Sequence, residues 1–193
     1  VGDWNGDGSD KIGAYKDGVW YLDYDGSGSW NAGDKNFAFG EAGWEPVVGK
    51  WTDGTTKIGV YKDGVYSIDY SGDGAYGAGD KTSVVAPAGS TAITGDWNAD
   101  GLTEIGTKTG TAWKLDYDGR GAFNSSSKYY LFGSPEWDPV IGDWNGNGKD
   151  KIGIYLNGAW YLDENGNGVW DTTTDKNYAF GTSGWIPVVG KWR

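Results

Sequence analysis

Val1-Gly2-Asp3-Trp4-Asn5-Gly6 opens the chain, and the phrase keeps returning. It recurs as Val48-Gly49-Lys50-Trp51, Thr94-Gly95-Asp96-Trp97-Asn98, Ile141-Gly142-Asp143-Trp144-Asn145-Gly146 and Val189-Gly190-Lys191-Trp192. From Trp to Trp the steps are 47, 46, 47 and 48 residues. So regular a period means that one supersecondary unit has been copied and that the fold is an array of copies. The copies span 1–47, 48–93, 94–140 and 141–188, and residues 189–193 begin a fifth copy or supply a closing strand.

Within a copy, short strand-like runs alternate with Gly- and Asp-rich turns. In the first they are the run around Val1 to Trp4, then Lys11–Tyr15, Val19–Asp23 and Asn36–Gly40. Lys16-Asp17-Gly18 between the second and third is a hairpin signal. No stretch carries a useful helical period. Four antiparallel strands in about 45 residues is the size of a propeller blade. The expected fold is all-β: a propeller of four-stranded antiparallel blades, four in this chain plus a spare C-terminal strand, forming one array over 1–193.

The 13 Trp all fall on repeat positions. Trp4, Trp51, Trp97, Trp144 and Trp192 are expected to end the first strand. Trp20, Trp113 and Trp160 lie in the third, and Trp30 and Trp170 follow the next turn. Trp44, Trp137 and Trp185 precede the Trp of the next phrase by seven residues. Rings on a schedule point to packing between blades rather than to a carbohydrate-stacking surface. Gly13, Gly59, Gly106 and Gly153 recur inside strands, where Gly weakens a sheet. They are expected to lie beneath an aromatic ring of a neighbouring blade.

Composition narrows the chemistry. A formal net charge of −11 would repel phosphate, so nucleic acid is not an expected partner. No apolar run approaches the roughly 20 residues of a membrane helix, so no membrane insertion is expected. Cys, His and Met are absent. That removes disulfides, thiolate and Ser-His-Asp nucleophiles and the usual zinc ligands. The missing Met marks a processed or excised piece, compatible with a removed secretion signal. Carboxylates are plentiful but follow the turns, and no pair stands apart as a glycosidase would require. The chain is read as not an enzyme.

The first loop, Asp3-Trp4-Asn5-Gly6-Asp7-Gly8-Ser9-Asp10-Lys11, places side-chain oxygens at its first, third and fifth positions. Such spacing can wrap a hard cation such as Ca2+. Asx-turns built by the same residues are the plainer reading. Gly-Asp-Trp-Asn-Gly-Asp-Gly followed by a strand resembles the FG-GAP/VCBS family of calcium-binding propeller repeats. Phe39-Gly40, Phe132-Gly133 and Phe180-Gly181 are similar to its name-giving Phe-Gly. The resemblance spans all four copies. It implies a β-propeller at an extracellular or cell-surface location, with a role in adhesion or ligand binding. It also implies ligands at positions one, three, five and nine, plus the carbonyl of position seven.

Carried over, those positions are Asp96, Asn98, Asp100 and Glu104 with the Leu102 carbonyl in the third copy. The first copy supplies Asp3, Asn5 and Asp7 but has Lys11 at the ninth position. The fourth has Asp143, Asn145 and Asn147 with Lys151 there. In these two an ammonium can take the cation's place. The second copy's loop is one residue shorter and starts with Lys50, so no metal is expected in it.

A second acidic turn follows the third strand. Asp23, Asp25, Ser27, Asn31 and Asp34 stand at positions one, three, five, nine and twelve, with Gly28 at six, the spacing of an EF-hand loop without its helices. Counterparts are Asp69, Ser71, Asp73 and Asp80 in the second copy. In the fourth they are Asp163, Asn165, Asn167 and Asp171, with Thr174 at twelve and Asp175 just beyond. The third copy carries Arg120 at position five, which should repel a cation. Ordinary Gly-rich turns are the plainer reading of these loops too, and Ca2+ is the cofactor they would hold if occupied. The functional expectation is a non-catalytic extracellular module for cell-surface structure, adhesion or protein binding. A glycan-binding, lectin-like propeller and a surface filament assembled by strand donation through the terminal strands are the alternatives.

Overall fold

The computed structural model describes residues 1–52 and 54–190; Asp53 and the Trp192 position lie outside them. Among the described residues every regular element is a strand, and no helix is long and apolar enough to cross a membrane. The chain divides into two compact units, Val1–Ala92 and Ile93–Arg193. Each holds two antiparallel meander sheets.

In the first unit, β1 (Gly13–Lys16), β2 (Val19–Leu22) and β3 (Lys35–Ala38) form a three-stranded sheet. β4 (Glu45–Gly49), β5 (Lys57–Lys62), β6 (Val65–Ile68) and β7 (Lys81–Val84) form a four-stranded one. In the second unit, one sheet comprises β8 (Thr91–Gly95), β9 (Glu104–Thr109), β10 (Ala112–Leu115) and β11 (Lys128–Leu131). The other comprises β12 (Asp138–Gly142), β13 (Lys151–Leu156), β14 (Ala159–Leu162) and β15 (Lys176–Ala179). The tight hairpins follow from turn chemistry: Asp17 and Gly18 both adopt positive φ (52° and 88°), the type I′ geometry that matches strand twist.

The repeat phrase sits one step later than the sequence suggests. The first strand of a sheet covers Thr91-Ala92-Ile93-Thr94-Gly95 or Asp138-Pro139-Val140-Ile141-Gly142 and stops at Gly, two residues before Trp. The residue between them, Asp96 or Asp143, already turns the chain by accepting loop N–H groups. In the first sheet this strand shrinks to a single Gly2–Lys11 bridge, and Trp185–Gly190 form no strand.

Each unit buries the same core between its two sheets. In the first unit it is Trp4, Trp20, Leu22, Phe39, Ile58 and Val60. In the second, the matching Trp97, Trp113, Leu115, Phe132, Ile152 and Ile154 are joined by Ile93. The indole N–H groups are bonded on schedule: Trp4, Trp97 and Trp144 donate to the carbonyls of Ile12, Ile105 and Ile152, eight residues on. Trp20, Trp113 and Trp160 donate to Phe39, Phe132 and Phe180. Packing does not claim every ring, however, since Trp30 and Trp185 are exposed.

The mid-strand glycines differ from expectation. A Cβ on Gly59, Gly106 or Gly153 would meet Val47, Ile93 or Val140 at 3.1, 2.9 and 2.9 Å. Val47 and Val140 are the cross-strand partners of Gly59 and Gly153. The close approach is therefore an aliphatic side chain leaning across its own sheet, not an aromatic ring of a neighbour.

Candidate metal centre

Both loop families are wound around one aspartate. In the third repeat, Asp96 Oδ1 accepts from the N–H groups of Ala99 and Asp100, and Oδ2 from Gly101. Asp3 does the same for Gly6, Asp7 and Gly8. In the second loops, Asp69 holds Gly72 and Gly74, and Asp163 holds Gly166, Asn167 and Gly168. The Asx-turn reading is thus realised. Each wound loop also directs further oxygens toward its centre.

What fills that centre separates the copies. In the fourth repeat, Lys151 Nζ donates to Asp143 Oδ1 at 3.2 Å, Asn145 Oδ1 at 2.9 Å, Asn147 Oδ1 at 3.0 Å and the Lys149 carbonyl at 2.7 Å. Those are positions one, three, five and seven. Burial raises the Asp143 pKa, but hydrogen bonds from Gly148, Lys151 and Asn147 hold it below the usual carboxylate range. In the first repeat, Lys11 Nζ donates to Asp7 Oδ1 at 2.7 Å and the Ser9 carbonyl at 2.8 Å, with Asp3 Oδ1 at 3.7 Å. Asp7 is held low first by that Lys11 bond and then by the Ser9 N–H. The sequence reading missed Lys57, which donates to Thr52 Oγ1 and the Tyr70 carbonyl in the short second-repeat loop. Its signal was present: Lys57-Ile58-Gly59 repeats Lys11-Ile12-Gly13.

The third repeat puts Glu104 where the others put Lys. Asp96, Asp100 and Glu104 each offer an oxygen, all within 4.8 Å of one another. Glu104 is only 3% exposed. Burial, and then the charges of Asp100, Asp96 and Asp116, push its pKa up to about 8 against a hydrogen bond from the Trp97 N–H. Asn98 differs as well. Asn145 turns Nδ2 to the Glu164 carbonyl and Oδ1 to the ammonium. Asn98 spreads Nδ2 over the Tyr117 carbonyl, Asp100 and Glu104. A carboxylate-rich centre short of positive charge draws its one amide donor inward. These four side chains fit a hard divalent cation, which prefers oxygen ligands and would offset most of their charge.

The second loops gather carboxylates in two copies. Asp23, Asp25 and Asp34 form one cluster, and Asp69, Asp73 and Asp80 another, each with oxygens within 4.8 Å. Asp23 Oδ1 is buried with no hydrogen-bond partner, although Oδ2 accepts from Gly28. Asn31 Nδ2 donates to Asp25 Oδ2, Ser27 Oγ and the Ser29 carbonyl, and so occupies the middle of the loop. Ser71 Oγ bonds Asp69 rather than facing open space.

The fourth repeat's second loop is arranged otherwise. Asp171 turns onto Thr173, accepting from its N–H and hydroxyl, while Asp175 accepts from the Glu164 and Asp171 N–H groups. Asp175, one residue beyond position twelve, therefore does what Asp34 does for Tyr24 and Asn31. Asn165 donates to Thr174, and Asn167 Oδ1 accepts from Val169, so Asp163, Asn165, Asn167 and Asp171 do not gather as a set of carboxylates. In the third repeat, Arg120 lies beside Asp118, with Nε 3.1 Å from its carboxylate.

No family model, curated protein or solved structure matches this chain.

Proposed function

We propose that this chain is a non-catalytic, calcium-stabilised module of extracellular or cell-surface structure that serves adhesion or protein binding, with its sheets acting as blades of an FG-GAP/VCBS-like β-propeller. The observation that carries the reading is the exchange at the ninth loop position. The first and fourth repeats hold a lysine there, the shortened second holds Lys57 at the equivalent place, and the third holds Glu104 within a carboxylate cluster. A loop shaped around a positive charge but lacking its lysine is suited to an external cation. The Asp23 and Asp69 clusters are the next candidates. Asp143, Asp163, Asp171 and Asp175 are engaged in turns, which supports a structural rather than a catalytic use.

Thermal melting with Ca2+ and with a chelator tests the proposal. At a calcium concentration about a hundredfold above Kd, linkage gives about 2.7 kcal/mol of stabilisation. Superimposable melting curves would remove calcium from the account.

A lectin-like reading has one observation in its favour. Trp30 lies exposed and edge-on to Tyr21 at 5.6 Å, beside Asp23 and Asp34. Glycan binding abolished by a chelator would place that reading first.

A further inference from the structure

We propose that the cleft where the two sheets of the first unit meet, flanked by Trp44 and Tyr76, binds a small aromatic amine, whose ring takes the place that the Tyr161 side chain fills in the second unit.

The repeats supply the template. Tyr161 on β14 lies between two indoles, Trp137 at 5.1 Å and Trp170 at 5.0 Å, the second edge-on. Trp44 is the counterpart of Trp137, each seven residues before the Trp of the next phrase. Tyr76 is the counterpart of Trp170, each seven residues after Asp69 or Asp163. Ser67 on β6 stands at the place of Tyr161. It pairs across the sheet with Val60 and Thr82, as Tyr161 pairs with Ile154 and Asn177. The first and third copies also cover the ring that follows the turn. Tyr21 lies edge-on to Trp30 at 5.6 Å, and the Lys114 ammonium stands 4.7 Å from the centre of the Phe123 ring. In the second copy the side chain at this place is a short serine, and Tyr76 is 65% exposed.

The absent ring leaves room. Phe39, Trp44, Val60, Ser67 and Tyr76 line a cavity of about 440 Å3, whereas the equivalent cavity beside Tyr161 measures about 260 Å3. A space of this size, walled by aromatic and aliphatic side chains with a few polar groups, is the usual form of a small-ligand site. Its flanking rings are already fixed. The Trp44 N–H donates to the Glu41 carbonyl at 3.1 Å, and the Tyr15 hydroxyl donates to the same oxygen at 3.0 Å. The Tyr76 hydroxyl bonds Thr82 Oγ1, and Phe39 backs the Tyr76 ring at 6.1 Å, as Phe132 backs Trp170 at 6.4 Å. A flat ring entering between Trp44 and Tyr76 meets a preformed slot, so little ordering cost opposes its binding.

Charge narrows the ligand further. Among the described residues lining the cavity, Glu41 alone is charged, and it is exposed. Ser134 stands at its place in the second unit. Lys62, which donates to the Gly43 carbonyl, is not part of the wall. A carboxylate beside an aromatic slot, on a chain of net charge −11, favours a ring that carries an ammonium and disfavours an anion.

Tyramine, p-cresol and 4-hydroxyphenylacetate share one ring and differ in charge. Titrated against the chain and followed by the Trp44 indole N–H signal in NMR spectra, they should bind in that order, tightest first. Tyr76 belongs to the Asp69–Asp80 loop, so every titration uses one calcium concentration. Ser67→Tyr restores the ring that the fourth repeat carries and should abolish the tyramine response. Tyr76→Ala, at an exposed position, should weaken binding about tenfold, the scale of one aromatic pair. Glu41→Gln should bring tyramine and p-cresol to equal affinity. Tyr161→Ser should open a second site, seen as a tyramine-dependent shift of the Trp137 indole signal that the parent lacks. No saturable response to any of the three ligands would overturn the proposal. So would a Ser67→Tyr chain that binds tyramine like the parent, or a methyl glycoside that moves the Trp44 signal where tyramine does not. A tyramine preference that survives Glu41→Gln would overturn the choice of an amine.

Discussion

The first loops of the third and fourth repeats share a frame and differ in the sign of one charge. Both wind N–H groups around an aspartate, Asp96 or Asp143, and both place an asparagine two residues on. In the fourth, Lys151 reaches four oxygens and the loop is electrically complete. In the third, Glu104 adds a carboxylate to two others, and burial keeps its proton on to about pH 8. The lesson is that a loop of this kind is a holder for positive charge. In the fourth repeat Lys151 supplies that charge; on the function proposed above, a metal ion supplies it in the third.

Removing the ammonium should have the largest effect. Lys151→Met keeps the aliphatic stem but strands the Asp143 carboxylate and three further oxygens. A loss of about 3 kcal/mol is expected from breaking a largely buried pair, measured by urea denaturation. A loss indistinguishable from zero would show that water serves the loop as well as the lysine does. The reverse exchange should give about 2 kcal/mol, the scale of hydrogen bonds to a charged group. Glu104→Lys is expected to stabilise the chelated protein by that amount and to diminish the shift that Ca2+ produces. An undiminished calcium shift would move the metal to the Asp23 or Asp69 loops.

Titration sharpens the same contrast. Glu104 has a folded pKa raised to about 8, so its neutral form favours the folded state. Its stabilisation is complete below the ordinary glutamate pKa and is lost as pH rises through about 8. Without metal, the melting temperature should therefore fall between pH 5 and pH 9, and Glu104→Gln should flatten that fall. Ca2+ competes with the proton and should also flatten it. A slope unchanged in Glu104→Gln would assign the dependence to other carboxylates, such as Asp150, whose pKa burial also raises.

The smallest expected effect concerns loop length. Trp97 Nε1 donates to the Ile105 carbonyl, but in the shorter second-repeat loop Trp51 Nε1 is buried without an acceptor. Trp97→Phe should cost more than Trp51→Phe by about 1 kcal/mol, the net value of one hydrogen bond, in paired denaturation curves.

Much of this was legible in the residues. The period of Trp, the Asp-Gly and Asn-Gly turns and the strand runs announced repeated antiparallel sheets without helices. Lys11 and Lys151 at the ninth position were readable as substitutes for a cation, because charge and spacing are local properties. Lys57 escaped notice because the deleted residue upstream shifted the count. Thr174 was counted at the closing position, with Asp175 just beyond, because a thirteen-residue loop and a twelve-residue loop look alike until Asp175 is seen bonding the turn. The partners of Gly59, Gly106 and Gly153 were misread because cross-strand register is not written beside the glycine itself.

Local hydrogen-bond chemistry and side-chain period are encoded within a few residues, so the chain alone determined an all-β repeat, its turns and its charge-holding loops. Only the tertiary structure decided which carboxylates converge, which indoles stay wet, and which side chains lie against the mid-strand glycines. Those outcomes depend on contacts between residues tens of positions apart, where identical repeat units meet different neighbours.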